Sequence, residues 1–167
     1  KMLVLIDGRH VYWDFYGIIL WDSFPIVLED IKKIEIIRGP GSALYGANAF
    51  SGVINIITKS AEEVKGTNVS VTGGTINSYL GSVIHAGGNE KINYKATAGI
   101  DETSHWNDED QVSRDVKKGQ AIINVKLGEA SKISFEGGIN KGSGETLSGI
   151  GKMIRTQTMK HAKADLN

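Results

Sequence analysis

Between Lys91 and Asp101 the chain alternates residue by residue. Ile92, Tyr94, Ala96, Ala98 and Ile100 fall on one side of an extended strand, and Lys91, Asn93, Lys95, Thr97 and Asp101 on the other. The same period returns in 120–127, with Ala121, Ile123, Val125 and Leu127, and in 132–140, with Ile133, Phe135 and Ile139. A period of two rather than 3.6 commits this half of the chain to sheet. Glycine, at 21 of 167 residues, is well above its usual ~7%, and only two prolines occur, as suits many turns and extended strands.

The connections alternate too. Gly88-Asn89-Glu90 and Gly128-Glu129-Ala130-Ser131 are short hairpin turns. Thr103 to Gly119, with its acidic Asn107-Asp108-Glu109-Asp110, and Gly142 to Gly151 read instead as long polar loops. Short turns at one end and long loops at the other is the pattern of an outer-membrane barrel. A soluble antiparallel meander gives the same alternation.

The first sixty residues are built differently. Compact apolar strands are expected at 2–7, 10–12, 32–38 and 52–58, with a turn around Pro25 to Asp30. The composition shifts near Ser60 to Lys65, which places two domains at 1–60 and 61–167. The stretch IEIIRGPGSALYGANAFSGVINIITK, residues 34–59, sets a glycine-rich insert between two β-branched runs. Gly41 to Gly46 has the spacing of a phosphate loop, but Ala47 and Asn48 stand where the lysine and hydroxyl residue must be, so the nucleotide reading fails. Pro40 suits the first position of a helical turn and Gly46 its exit, so Gly39, Pro40, Tyr45 and Gly46 are expected to shape the chain. The flanking apolar runs suit strands covered on both faces. The fold class is α+β, mostly β: a small mixed sheet with short helical turns, followed by an antiparallel β-meander.

Several function classes find no support. Nineteen basic and nineteen acidic residues cancel, so no basic field draws the chain to nucleic acid. Without cysteine there is no disulfide, thiol nucleophile or cysteine metal site. No stretch approaches the ~18 apolar residues of a membrane helix. His10, His85, His105 and His161 are scattered, and Asp108 to Asp110 lacks the glycine and glutamate of an EF-hand loop, so no metal or other cofactor is expected. No Gly-x-Ser-x-Gly elbow occurs, and no catalytic residue is assigned. The amino end opens directly inside a strand, without a signal peptide, as a truncated chain would.

Three segments carry a family resemblance: Val4-Leu5-Ile6-Asp7-Gly8, Leu28 through Ile37-Arg38-Gly39-Pro40, and Ser42-Ala43-Leu44-Tyr45-Gly46 running to Gly52-Val53-Ile54-Asn55-Ile56-Ile57-Thr58-Lys59. In this order they resemble the second half of the plug domain of TonB-dependent outer-membrane receptors. The resemblance covers residues 1 to about 60 and is highly specific; the alternating strands beyond it look like the start of the barrel. It implies a receptor in the outer membrane of a Gram-negative-type bacterium, in which a plug inside a barrel of about 22 strands binds a scarce ligand. That ligand would be an iron-siderophore or similar metal chelate, and the TonB energy-coupling protein would remodel the plug. The TonB-binding segment lies in the half of the plug this chain lacks, and the residues after 60 have room for about six strands of ~9 to 11 residues, a partial barrel.

The resemblance also implies sites. Glu35 and Arg38 would make a breakable polar contact between plug and barrel wall. Trp13, Phe15 and Tyr16, in an aromatic segment that reaches the outer apex of the plug, would bind ligand. The apolar strand face with Ile92, Tyr94, Val125 and Phe135 would meet lipid. A competing reading keeps the same strands in a soluble or surface-exposed adhesion or interaction module, with the plug motif as a strand-turn-strand scaffold.

Overall fold

The computed structural model describes residues 2–11, 19–39, 45, 49, 51–75, 77–104, 113–128, 131–148 and 151–166. The chain forms two compact units, Lys1–Phe24 with Asp30–Lys59, and Pro25–Glu29 with Ser60–Asn167.

The first unit is a four-stranded sheet. Its strands are β1 (Met2–Ile6), β2 (Arg9–His10), β3 (Ile31–Arg38) and β4 (Gly52–Thr58), in the spatial order β2-β1-β4-β3. β1 runs parallel to β4 while β3 runs antiparallel to it, so the sheet is mixed, as the two apolar runs around the glycine-rich insert imply. The Asp7-Gly8 pair turns β1 into β2 with φ of 47° and 75°, positive at both central positions as a two-residue type I′ hairpin requires. On one face Leu3, Leu5 and Val53 bury against Ala49, with Tyr45 packed on the cluster; on the other, Val4, Ile6 and Ile56 are buried. Each such side chain contributes about 1.5–3 kcal/mol of burial.

The apolar runs do not behave alike. β4 is central and largely buried, but β3 is the edge of the sheet, and Ile34 and Ile36 are 53% and 63% exposed. Coverage on both faces thus holds for one run and not for the other, because a continuous apolar run looks the same at the edge and at the centre. The helical turn expected at 40–45 lies outside the described residues except for Tyr45, which is helical.

The second unit is a six-stranded antiparallel meander of β5 (Gly66–Gly74), β6 (Ser78–Gly88), β7 (Ile92–Thr103), β8 (Arg114–Lys126), β9 (Lys132–Ser148) and β10 (Gly151–Leu166), each paired with its sequence neighbours. The expected loop from Gly142 to Gly151 is mostly strand: Gly142 pairs with Gln157 and Ser148 with Gly151. Glycine and serine carry no strand signal of their own, and the ladder with β10 decides the matter. The same holds for 114–119, which pairs with β7.

Register sorts the meander into two faces. Ile92 lies opposite Val125, and Tyr94 opposite Ile123, which in turn faces Phe135. All of these point to the outward face, where Ile92, Tyr94, Ile123 and Phe135 are exposed. From Ile92 to Ile100 this apolar band runs about 26 Å along the strand and, at barrel tilt, roughly 20 Å across it, close to the ~25 Å of a membrane barrel. The opposite face is mixed and more covered: Lys95, Thr97, Gln120 and Asn140 are all buried there, beside Ile84, Ala86 and Val116. No described helix is long and apolar enough to cross a membrane.

Candidate functional site

In the first unit the polar groups cluster at the sheet's strand ends. The Asp7 carboxylate accepts hydrogen bonds from the backbone N–H and the hydroxyl of Thr58, at 2.9 and 2.8 Å, and so ties the hairpin turn to the end of β4. Beside it the Lys59 N–H donates to the Asp30 carbonyl at 2.8 Å.

Glu35 and Arg38, joined in one role by the sequence, are separated by the strand. Glu35 shares a face with Lys33 and faces Asn55, whereas Arg38 lies on the side of Ile34 and Ile36, opposite Gly52. The Glu35 carboxylate takes a 2.6 Å contact from Lys33 and a longer bond from Asn55 at 3.4 Å. The Lys33 bond is the main reason the Glu35 carboxyl lies below the ordinary glutamate value; desolvation opposes it, and the lysine charge and Asn55 add to the lowering. Arg38 is exposed at the end of β3, where Gly39 turns the chain with φ of 94°. Trp13, Phe15 and Tyr16 lie outside the described residues, as do Pro40 and Gly46. Next to the aromatic segment Trp21 and Phe24 pack edge to face, with centroids 5.6 Å apart.

The second unit holds a seat that the sequence reading did not single out. The segment Pro25–Glu29, which in sequence interrupts the first unit, clusters with the meander. Val27 joins Ala61, Val64, Ile84 and Ala86 in one buried cluster. Gly99 makes room for it, because a Cβ there would stand 2.6 Å from the Val27 Cγ1. Two residues on, the Glu29 carboxylate accepts the Ser82 hydroxyl at 2.8 Å. Burial pushes the Glu29 carboxyl upward, but bonds from Ser82, its own backbone N–H and Ser70, with the Lys118 charge, outweigh it and leave it below the ordinary value.

Around this seat the inward face is a wall of linked polar side chains. Asn93 donates to Glu62 and accepts from Asn124, which in turn accepts from Ser134, at 3.1, 2.8 and 2.7 Å. Gln120 donates to the Glu136 carboxylate at 2.9 Å and His161 lies at 2.9 Å from the same oxygen, joining β8, β9 and β10. The Thr97 hydroxyl and the Gln120 carbonyl oxygen are buried without a partner among the described residues. Such a surface is matched by water or another polar surface and not by acyl chains. The alternation of 91–101 already marks this face as polar; the partners become visible only once the register is known. Of the histidines, His85 on the outward face has Thr67 at 2.8 Å from one ring nitrogen and Tyr94 at 3.1 Å from the other. No group of three metal-ligating side chains occurs among the described residues.

Comparison with known proteins agrees with this architecture. Residues 1–53 match the family model described as TonB-dependent Receptor Plug Domain. The vitamin B12 transporter BtuB of Vibrio vulnificus (strain CMCP6) is 40% identical over 75 residues, 45% of this chain and 12% of that protein. Its counterpart from Vibrio cholerae (strain M66-2) is 38% identical over 76 residues, again 12% of its length. Among solved structures, the ferric enterobactin receptor of Pseudomonas aeruginosa, a mutant form, superposes with a TM-score of 0.66 at 23% identity, over 86% of this chain and 25% of that one. The copper transporter OprC does so with 0.70 at 17% identity, over 99% and 26%. At these identities the structural likeness speaks for the fold. The chain thus spans a small part of the relatives it matches, and its plug sequence, mixed sheet and meander resemble those of TonB-dependent receptors. The relatives it matches are described as receptors and transporters.

Proposed function

We propose that this chain is the plug-and-wall segment of an outer-membrane importer for a scarce metal chelate, with an iron-siderophore complex as the first candidate. The observation that carries the reading is the opposition of the two meander faces, an apolar band outward and a linked polar wall inward, on a chain whose first residues are plug sequence. In the complete receptor the outward face meets lipid, and the TonB energy-coupling protein drives movement of the plug. Trp13, Phe15 and Tyr16 supply aromatic area to the ligand, while Glu35 and Arg38, on opposite faces of β3, form polar contacts of which only one can face a given wall. Cobalamin, itself a metal chelate, is the second candidate, favoured by the likeness to vitamin B12 transporters.

Uptake assays on a strain lacking the complete gene test both candidates. Loss of labelled ferric-siderophore uptake, restored by the gene and dependent on TonB, is the expected result. Loss of cyanocobalamin uptake alone would transfer the assignment to cobalamin, and unchanged uptake of every chelate would remove the import reading.

A further inference from the structure

The outward face of the meander is not uniformly apolar. Lys117 of β8 and Lys141 of β9 are direct cross-strand partners, and Lys160 of β10 stands opposite Ile139, one step along the same face. All three are exposed. Like charges directly opposite each other in a sheet are unfavourable, with Cβ atoms about 5 Å apart and the diagonal neighbour at about 7–8 Å. None of the three has a carboxylate partner among the described residues, although Asp115 lies two residues from Lys117 on the same face. Although Glu102 and Glu145 share this face with Asp115, the three ammonium groups are left free to take an anion from outside the chain.

Position says which anion. The lysines stand where the apolar band ends, on the side away from the short turns at 89–91 and 127–131. Lys117 itself lines an open, mainly apolar groove with Val69, Val71, Gly81, Val83 and Ile100, to which Ser70, Ser82 and Lys118 also contribute. An apolar groove beside a cluster of ammonium groups complements a molecule with an acyl chain and a phosphate at its head. A free phosphate would use the lysines and leave the groove empty.

We infer that Lys117, Lys141 and Lys160, with the groove over Gly81, form a docking surface for an acyl lipid whose headgroup carries an exposed, negatively charged phosphate. This rests on the membrane-barrel reading above. In such a site the ammonium groups neutralise the phosphate at the edge of the hydrocarbon layer, and one acyl chain lies along the valines.

The test uses the complete receptor in detergent, and a variant carrying Lys117→Gln, Lys141→Gln and Lys160→Gln. Native mass spectrometry counts bound phosphatidic acid against phosphatidylcholine with the same acyl chains. The wild type should prefer phosphatidic acid at least tenfold, and the variant should lose that preference. Equal retention of the two lipids by the wild type, or an unchanged preference in the variant, overturns the proposal, as does full displacement of the lipid by millimolar inorganic phosphate. Fractionation of the same proteins separates the two readings. A receptor found in the outer membrane without lipid preference overturns the docking surface alone; one found in the soluble fraction overturns the barrel reading with it.

Discussion

The Glu29 carboxylate accepts the Ser82 hydroxyl across 53 residues of sequence, fastening the segment Pro25–Glu29 to a strand of the meander. Because this carboxyl titrates below its ordinary value, its stabilising effect is complete above the unfolded-state value and is lost as pH falls through the folded-state one. Hydrogen exchange at Val27 and Leu28, corrected for intrinsic rates, should stay slow from neutral pH down to the ordinary glutamate range and quicken below it. Glu29→Gln should flatten that acid response; identical profiles in the two proteins would show that the seat does not depend on this charge.

The slot at Gly99 offers a steric test of the same seat. Gly99→Ala places a Cβ 2.6 Å from the Val27 methyl and should cost about 1–3 kcal/mol by overpacking. Val27→Ala vacates the space, so the double variant should lose less than the sum of the two single ones. Additive losses in denaturant unfolding would mean that the two residues do not compete for the space.

At the hairpin turn, Asp7→Ala removes the acceptor for two Thr58 hydrogen bonds and should cost about 1.5–3 kcal/mol. Asp7→Asn should cost less, since asparagine tolerates the positive φ and keeps an acceptor. Urea unfolding of the complete receptor followed by plug-sheet amides would read this; equal losses would assign the effect to the carboxylate charge, and no loss in Asp7→Ala would leave the carboxylate without a role.

On the outward apolar band, Ala121 lies mid-band, opposite Ala96 and Gly137. Ala121→Arg should cost about 2–4 kcal/mol in a bilayer. A solvated face would charge about 0.5 kcal/mol or less for the same change. Unfolding titrations in liposomes therefore discriminate the barrel from a soluble interaction module.

In the aromatic segment, Trp13→Ala and Tyr16→Ala in the complete receptor should each weaken ligand binding by about 1–3 kcal/mol while leaving the protein folded and inserted. Unchanged affinity in both would assign ligand recognition to other loops.

What could be read in advance was whatever rests on local chemistry. The Asp7-Gly8 turn follows from two residues that accept positive φ, and the outward face of β7 follows from strict alternation between Ile92 and Ile100. Non-local decisions stayed hidden. Ile34 and Val53 belong to equally apolar runs, yet one is exposed at an edge and the other is buried at the centre. Gly142 to Ser148 reads as loop until β10 supplies its ladder. The union of Glu29 with Ser82, or of Glu136 with Gln120 and His161, requires a register that no short window contains.

The parallel pairing of β1 with β4 has a mechanical consequence. Five residue pairs, from Met2 with Gly52 to Ile6 with Ile56, hold the two strands side by side and pointing the same way. A tension applied at Met2 and resisted at Thr58 would try to slide one strand along the other, loading all the rungs together, whereas peeling the antiparallel β3 from its free end would break them one by one. The plug half is therefore stiff along one axis and compliant along another, so the direction of a tug, as much as its size, would decide which part of the sheet yields first.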